Sequence, residues 1–299
     1  MEKNNRSYAY ILPLLAALLW GMSFVVQKDS TRFVDPFIYN CARNLLASLT
    51  VGLFLLLSRR RTGPKKTPPG SKKWLPGGLI CGFFLFAAHA LQQTGIAETE
   101  AGKAGFITSL YLVFVPLAGL LLGRRVEKKL WISVAAALCG LGLLCLNERL
   151  ALSRGDALVL LSAIAYTFYI LGIDHFVQYV EPTVLSCCQL LAASLFSGIA
   201  AVLTGESSGL PLRDCWMQLL YVGILSGAVA NVLQSRAQKL LEPAKVSLLL
   251  SFESVFGVLA GAVFLRERMT LRELGGCVLM FFAVLLLRFP ASRRGKTDP

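Results

Sequence analysis

Glu253 stands in the middle of an otherwise apolar stretch, Val246 to Leu265. If that stretch crosses a bilayer, a carboxyl at such depth is costly and faces a bundle interior or a wet cavity. There it could bind a cationic or amine group, or carry a proton. The plainer alternative is a protonated acid hydrogen-bonded to a neighbouring helix. Arg43 lies inside another apolar stretch. Its guanidinium fork could pair with a carboxylate on a small molecule. It could instead pair with Glu253, snorkel outward or anchor a carbonyl-lined kink.

Other polar groups recur at helical spacing. His89 and Gln92 are three residues apart, as are Asn231 and Gln234. Residues so spaced share a helix face, so the two pairs read as two polar walls of one cavity, or as interhelical hydrogen bonds worth about 0.6 kcal/mol on average in membranes. His89 could also titrate near neutral pH. Trp20 and Tyr166 lie well inside apolar stretches, where aromatic rings could wall a cavity and stack on a flat or apolar ligand, with an interfacial belt the alternative, and Tyr111 joins them as a candidate site residue. Lys103 and Lys245 each stand at the start of an apolar stretch, where a cation opposes the helix dipole. That placement suggests a gate or bridges to Glu100 and Glu242, with interfacial anchoring the alternative.

The elements that must position these residues follow from composition. The chain is 55% hydrophobic and only 16% charged over 299 residues, outside the range of soluble domains. Ten apolar stretches recur, near 7–27, 36–58, 74–97, 104–123, 130–147, 157–173, 182–204, 215–235, 246–265 and 274–289. Most are long enough to cross ~30 Å of hydrocarbon as helices. Lipid offers the backbone no hydrogen-bonding partner, and a β-barrel would alternate in polarity, so helices are expected. The first stretch is too long for the apolar core of a cleavable signal peptide.

The net charge of +13 is a topology signal rather than a nucleic-acid footprint. With the N-terminus inside and ten spans, 20 Lys/Arg fall on the inner face and 9 on the outer, with Arg43 within a span. That asymmetry places both termini in the cytoplasm, and it leaves membrane lipid headgroups as minor anionic partners. Eight cysteines without a CxxC, and two histidines (His89 and His175), argue against a metal site or disulfide framework. No cofactor is expected. With only two histidines and no HExxH, an intramembrane enzyme is a remote reading. An ion channel would call for rings of charge or carbonyl filters.

The chain also repeats itself. At a shift of 146, Pro36, Cys41 and Ser48 meet Pro182, Cys187 and Ser194, and Trp20 meets Tyr166. At a shift of 142, Trp74, Gln92, Glu100, Lys103 and Arg124 meet Trp216, Gln234, Glu242, Lys245 and Arg266. On the same shift Tyr111 meets Glu253 and His89 meets Asn231. Each half, 1–148 and 149–299, then holds five spans. An odd number inverts the second half in the membrane, a signature of secondary transporters with a midplane site at the repeat interface. The expected fold is an all-α membrane protein of ten transmembrane helices in two five-helix inverted repeats. GxxxG pairs at Gly119/Gly123 and Gly257/Gly261 predict close approach of the fourth and ninth helices, in a monomer or weak homodimer.

Four segments carry a family resemblance. They are Leu18-Leu19-Trp20-Gly21-Met22-Ser23-Phe24, Ala101-Gly102-Lys103-Ala104-Gly105-Phe106-Ile107, Ser251-Phe252-Glu253-Ser254-Val255-Phe256 and Leu265-Arg266-Glu267. With them the chain resembles ten-helix, EamA-type members of the drug/metabolite transporter superfamily. The resemblance implies a central cavity lined by the first, third and fourth helices of each half, with the fifth at the periphery. It also implies movement of small organic solutes, often outward. The chain departs from the family at Gly123-Arg124-Arg125-Val126-Glu127, where a Gly-Glu pair usually ends the fourth span. The expected function is alternating-access transport across the cytoplasmic membrane of an amino acid, amine or drug-like solute, with protons a candidate coupling partner. An uptake permease for a sugar or nucleoside is the alternative.

Overall fold

The computed structural model describes residues 2–62, 73–99, 101–124, 126–145, 153–206, 214–264 and 270–288. Among these residues all regular structure is helical. In chain order the helices are α1 (Glu2–Gly21), α2 (Ser23–Ser30), α3 (Pro36–Thr62), α4 (Trp74–Glu98), α5 (Ala101–Ser109), α6 (Tyr111–Leu121), α7 (Lys128–Cys145), α8 (Arg154–Phe176) and α9 (Pro182–Thr204). After these come α10 (Trp216–Leu220), a π-helical segment (Tyr221–Val229), α11 (Ala230–Gln238), α12 (Pro243–Leu250), α13 (Glu253–Phe264) and α14 (Leu271–Arg288).

Among the described residues, seven segments are long and apolar enough to cross a membrane: Tyr8–Ser30, Pro36–Ser58, Trp74–Glu98, Lys103–Leu121, Arg154–Phe176, Pro182–Thr204 and Trp216–Gln238. The other three expected spans coincide with α7, with α12 and α13 together, and with α14. These are helical but fall outside that set of seven.

Local sequence sets the helix ends. Proline opens α3, α9 and α12, a position where its missing N–H costs nothing. Ser153 and Asp156 form a reciprocal capping box at the start of α8, satisfying two otherwise orphaned backbone donors. Glu206 accepts from the backbone N–H groups of Phe37 and Ile38, both at 3.0 Å, and so caps α3 from the far end of α9. Gly205, at φ +70°, ends α9 in the left-handed conformation that favours glycine.

The packing is inside-out relative to a soluble protein. Leu45, Leu49, Leu53 and Leu57 of α3 are exposed, one stripe at four-residue spacing. Leu191, Leu195 and Ile199 repeat the pattern on α9. Buried positions instead include many Ser, Thr, Asn and Gln. Such a surface suits lipid, which has no partner to offer polar groups. Helix α4 packs on α8 and α9, α3 on α9, and α7 on α14, while α1 meets α11, α12 and α13.

The fourth and ninth spans do meet, α5 on α13 and α6 on α12, but the closest glycine contact is not between the expected glycines, of which Gly261 lies outside the residues whose surroundings are described. Gly123 sits at the C-terminal end of α6 with φ +76°, and a Cβ there would meet nothing within 4 Å. Around Gly119 a Cβ would meet only the side chain of Arg124. The tight contact of Gly257 is instead with the backbone of Gly21. A Cβ on Gly21 would lie 2.5 Å from the carbonyl oxygen of Glu253 and 2.8 Å from the nitrogen of Gly257. Gly105 faces Ser254 and Phe24 at 3.7 and 3.9 Å. Three of the four segments that carry the family resemblance therefore converge on the start of α13. The fourth, Leu265-Arg266-Glu267, lies outside the described residues.

Candidate functional site

Two helix interruptions shape the interior. Helix α5 stops at Ser109 and α6 starts at Tyr111, while α12 stops at Leu250 and α13 starts at Glu253. The residues at these breaks are the ones matched by the 142-residue shift. Glu253 thus occupies the first turn of α13, where a negative charge is favoured by the helix dipole. Its Oε1 accepts from the Tyr111 hydroxyl at 3.2 Å and from Ser109 Oγ at 3.4 Å. The side chain is only 4% exposed.

A cavity with an empty volume of about 650 Å³, including the part open to solvent, lies beside this junction. Trp20, His89, Gln92, Tyr111, Tyr166, Asn231, Gln234 and Glu253 all line it, and so does Arg43. Four elements of the first half and three of the second supply these nine residues. Gln92 accepts from the Tyr166 hydroxyl at 3.2 Å and donates to Thr108 at 3.1 Å. The Tyr169 hydroxyl donates to Asn231 at 2.7 Å and accepts from Gln189 at 2.8 Å. His89 Nδ1 lies 3.3 Å from the Asn44 amide. Tyr166 meets the rings of His89, Tyr111 and Tyr169 edge-on at 6.1–6.4 Å. The aromatic wall is therefore continuous with the polar one.

The π-helical segment adds a backbone contact. Its wide turn lets the Ala230 N–H reach back five residues to Leu225. Trp20 Nε1 donates to the carbonyl of Ser226 in this segment at 2.8 Å. π-Helical turns of this kind concentrate at functional sites.

Arg43 neither snorkels nor pairs with Glu253. It is 4% exposed, and its Nη1 donates to Gln27 Oε1 at 2.6 Å. Arg43 and Asn44 also bring α3 into the lining, beyond the first, third and fourth helices that the resemblance implies. No described side chain of α7 or α14 lines it.

Lys103 and Lys245 stand away from the cavity lining. Lys103 Nζ lies 2.6 Å from Asp156, which is fully buried and also accepts from Thr99 Oγ1 at 2.5 Å. Glu100, the expected partner, lies outside the described residues. Lys28 joins the same cluster by donating to the carbonyls of Ile96 and Thr99. Lys245 pairs with Glu242 at 3.2 Å.

Sequence reasoning passed over Ser23, Gln27, Asn44, Thr108 and Tyr169, all in the lining. Ser23 and Tyr169 carried a usable signal. They are matched by the 146-residue shift, and each falls three residues after a residue already singled out, Trp20 and Tyr166.

A helical bundle with an apolar outer surface and a polar, aromatic-walled cavity is the build of a multi-pass membrane protein that handles a solute. The model of the EamA-like transporter family matches residues 7–146 and again 153–289. The chain belongs to that family and is a multi-pass membrane transporter.

An uncharacterized transporter of Archaeoglobus fulgidus is 29% identical over 96% of this chain and 87% of its own length. The uncharacterized inner membrane transporter YedA of Escherichia coli is 24% identical over 94% of this chain and 92% of its own. A solved crystal structure superposes with a TM-score of 0.75 at 19% identity, covering 94% of this chain and 96% of that one. The last similarity bears on the fold alone.

Proposed function

We propose that the protein moves a small polar or amphipathic organic solute by alternating access, as two inverted halves of five spans each, 1–148 and 149–299. The observation that carries this reading is Glu253. It is a buried acid at a helix break, bonded to Tyr111 and Ser109 of the other half and facing the cavity. Transporters of this kind place substrate and coupling sites at broken helices between repeats. The paired breaks at 109–111 and 251–253, and the family model's match to each half in turn, support the repeat. The Lys/Arg asymmetry supports cytoplasmic termini in the cytoplasmic membrane.

In this reading Glu253 binds the solute or a proton, and its release to the Tyr111 and Ser109 hydroxyls accompanies the switch between faces. Family resemblance favours export, driven by proton exchange at Glu253 with His89 nearby. The Lys103–Asp156 cluster ties α5 to α8 across the two halves and serves as a gate contact.

The test is a thermal-shift screen of purified protein against an amino-acid and amine library. Flux of each hit is then measured in proteoliposomes with and without a pH gradient. Glu253→Gln is expected to insert normally, yet to lose transport or its dependence on the gradient. Unchanged flux with unchanged pH dependence overturns the assignment.

A further inference from the structure

Arg43 has more hydrogen-bonding capacity than the protein around it uses. Its Nη1 is taken by Gln27. Its Nε and Nη2, the two nitrogens of the side-on edge, are buried and have no hydrogen-bond partner among the described residues. That edge is the one that grips a carboxylate through two parallel N–H···O bonds. The ionisable groups that face Arg43 are Tyr39, whose ring centroid lies 5.7 Å from Cζ, and His89 and Tyr166. Among the described residues, none of these is a carboxylate. Asn40, one turn earlier on α3, is fully buried and has both side-chain polar atoms unpartnered.

A guanidinium cannot escape burial by giving up its proton. An uncompensated buried charge is strongly destabilising, so an arrangement of this kind has to be offset by something outside the chain. The same cavity presents the acid of Glu253. Tyr166 is close enough to interact electrostatically with both.

We infer that Arg43 holds the carboxylate of the transported solute on its Nε–Nη2 edge, with the solute's amine turned toward Glu253. The ligand class is then a zwitterion, an amino acid or close derivative. A simple amine would leave the guanidinium unpaired, and a neutral sugar or nucleoside would leave both charges unpaired. This inference rests on the transport reading above and names the substrate class for it.

Matched triplets test it: each amino acid, its carboxamide, which keeps the amine and loses the anion, and its decarboxylated amine. Binding is read by thermal shift on the full chain in detergent, and flux by exchange in proteoliposomes. At least one amino acid is expected to bind and exchange, with its carboxamide and amine weaker by roughly 30-fold or more, the scale of losing one partner of a desolvated charge pair. Arg43→Gln should bind acid and carboxamide alike, and Arg43→Lys should recover only part of the preference. Without ligand, Arg43→Gln should melt no lower than the native protein, because it removes an unpaired charge.

Three results in binding and melting overturn the inference. They are equal affinity for acid and carboxamide, a preference that survives Arg43→Gln, and an Arg43→Gln protein that melts several degrees lower and is restored by Lys. Flux of amines or neutral solutes with no acid bound also overturns it, while leaving the transport reading intact. Absence of flux for every solute in a broad library overturns that reading as well.

Discussion

Adding one methyl group at Gly21 should disturb the site through backbone alone. The Cβ of Gly21→Ala would lie 2.5 Å from Glu253 O, with Gly257 N and Phe256 Cβ both at 2.8 Å. The first two are main-chain atoms and cannot rotate away. To reach 3.0 Å, α1 and α13 must separate by at least 0.5 Å. Overpacking of this order costs about 1–3 kcal/mol, partly offset by the ~1 kcal/mol that Ala gains over Gly inside a helix.

Two companion substitutions calibrate the effect. Gly257→Ala meets Gly21 O at 3.0 Å, and Gly105→Ala meets nothing nearer than 3.7 Å. The expected order of stability is therefore Gly105→Ala at or above the native protein, then Gly257→Ala, then Gly21→Ala. Gly21→Ala should also lose most flux, because Trp20 and Glu253 are carried on the displaced segments. Thermal unfolding of the detergent-purified variants and flux in proteoliposomes give both readings. A Gly21→Ala protein with native melting and native flux would refute the claim that this contact holds α13 in place.

Two further outcomes follow from the ends of the bundle. Asp156→Asn keeps the cap on α8 but removes the charge that Lys103 faces at 2.6 Å. With Lys103 18% exposed, the loss should be about 1–3 kcal/mol, the cost of leaving a buried partner unsatisfied. A double-mutant cycle with Lys103→Met should show a coupling above about 0.5 kcal/mol, and strict additivity would remove the bridge from the account. Single cysteines in a cysteine-free background should be labelled from the cytoplasmic side at Ser58 and from the outer side at Glu148, a position outside the described residues. The reverse pattern would invert the proposed topology.

Much of the cavity was legible because membranes punish buried polarity. His89, Gln92, Asn231, Gln234 and Glu253 stand out in apolar runs, and all line the cavity. The repeat added Trp20 and Tyr166, which neither charge nor spacing would have singled out. What stayed hidden depends on tertiary structure. Gln27 reads as the polar end of an apolar stretch until Arg43 is seen bonded to it. Asp156 reads as an ordinary helix cap, and only the fold brings Lys103 to it across 53 positions of sequence. The glycine spacing pointed to two spans that do meet, but it did not identify the tightest contact, for a related reason. GxxxG marks a surface that permits close approach, but the partner is chosen by the whole bundle, and here Gly257 meets Gly21.

The swollen turn at Tyr221–Val229 sets the phase of everything after it. An ordinary helix advances about 100° per residue, so the surplus accommodated there determines which way Asn231 and Gln234 point. Ironed into regular α-helix, the segment would swing both side chains by a large fraction of a revolution and strip one wall of the cavity of its amides. The corresponding stretch of α4 is uninterrupted helix. Thus the two halves, alike in much of their sequence, have unequal means of changing what they present to a bound molecule.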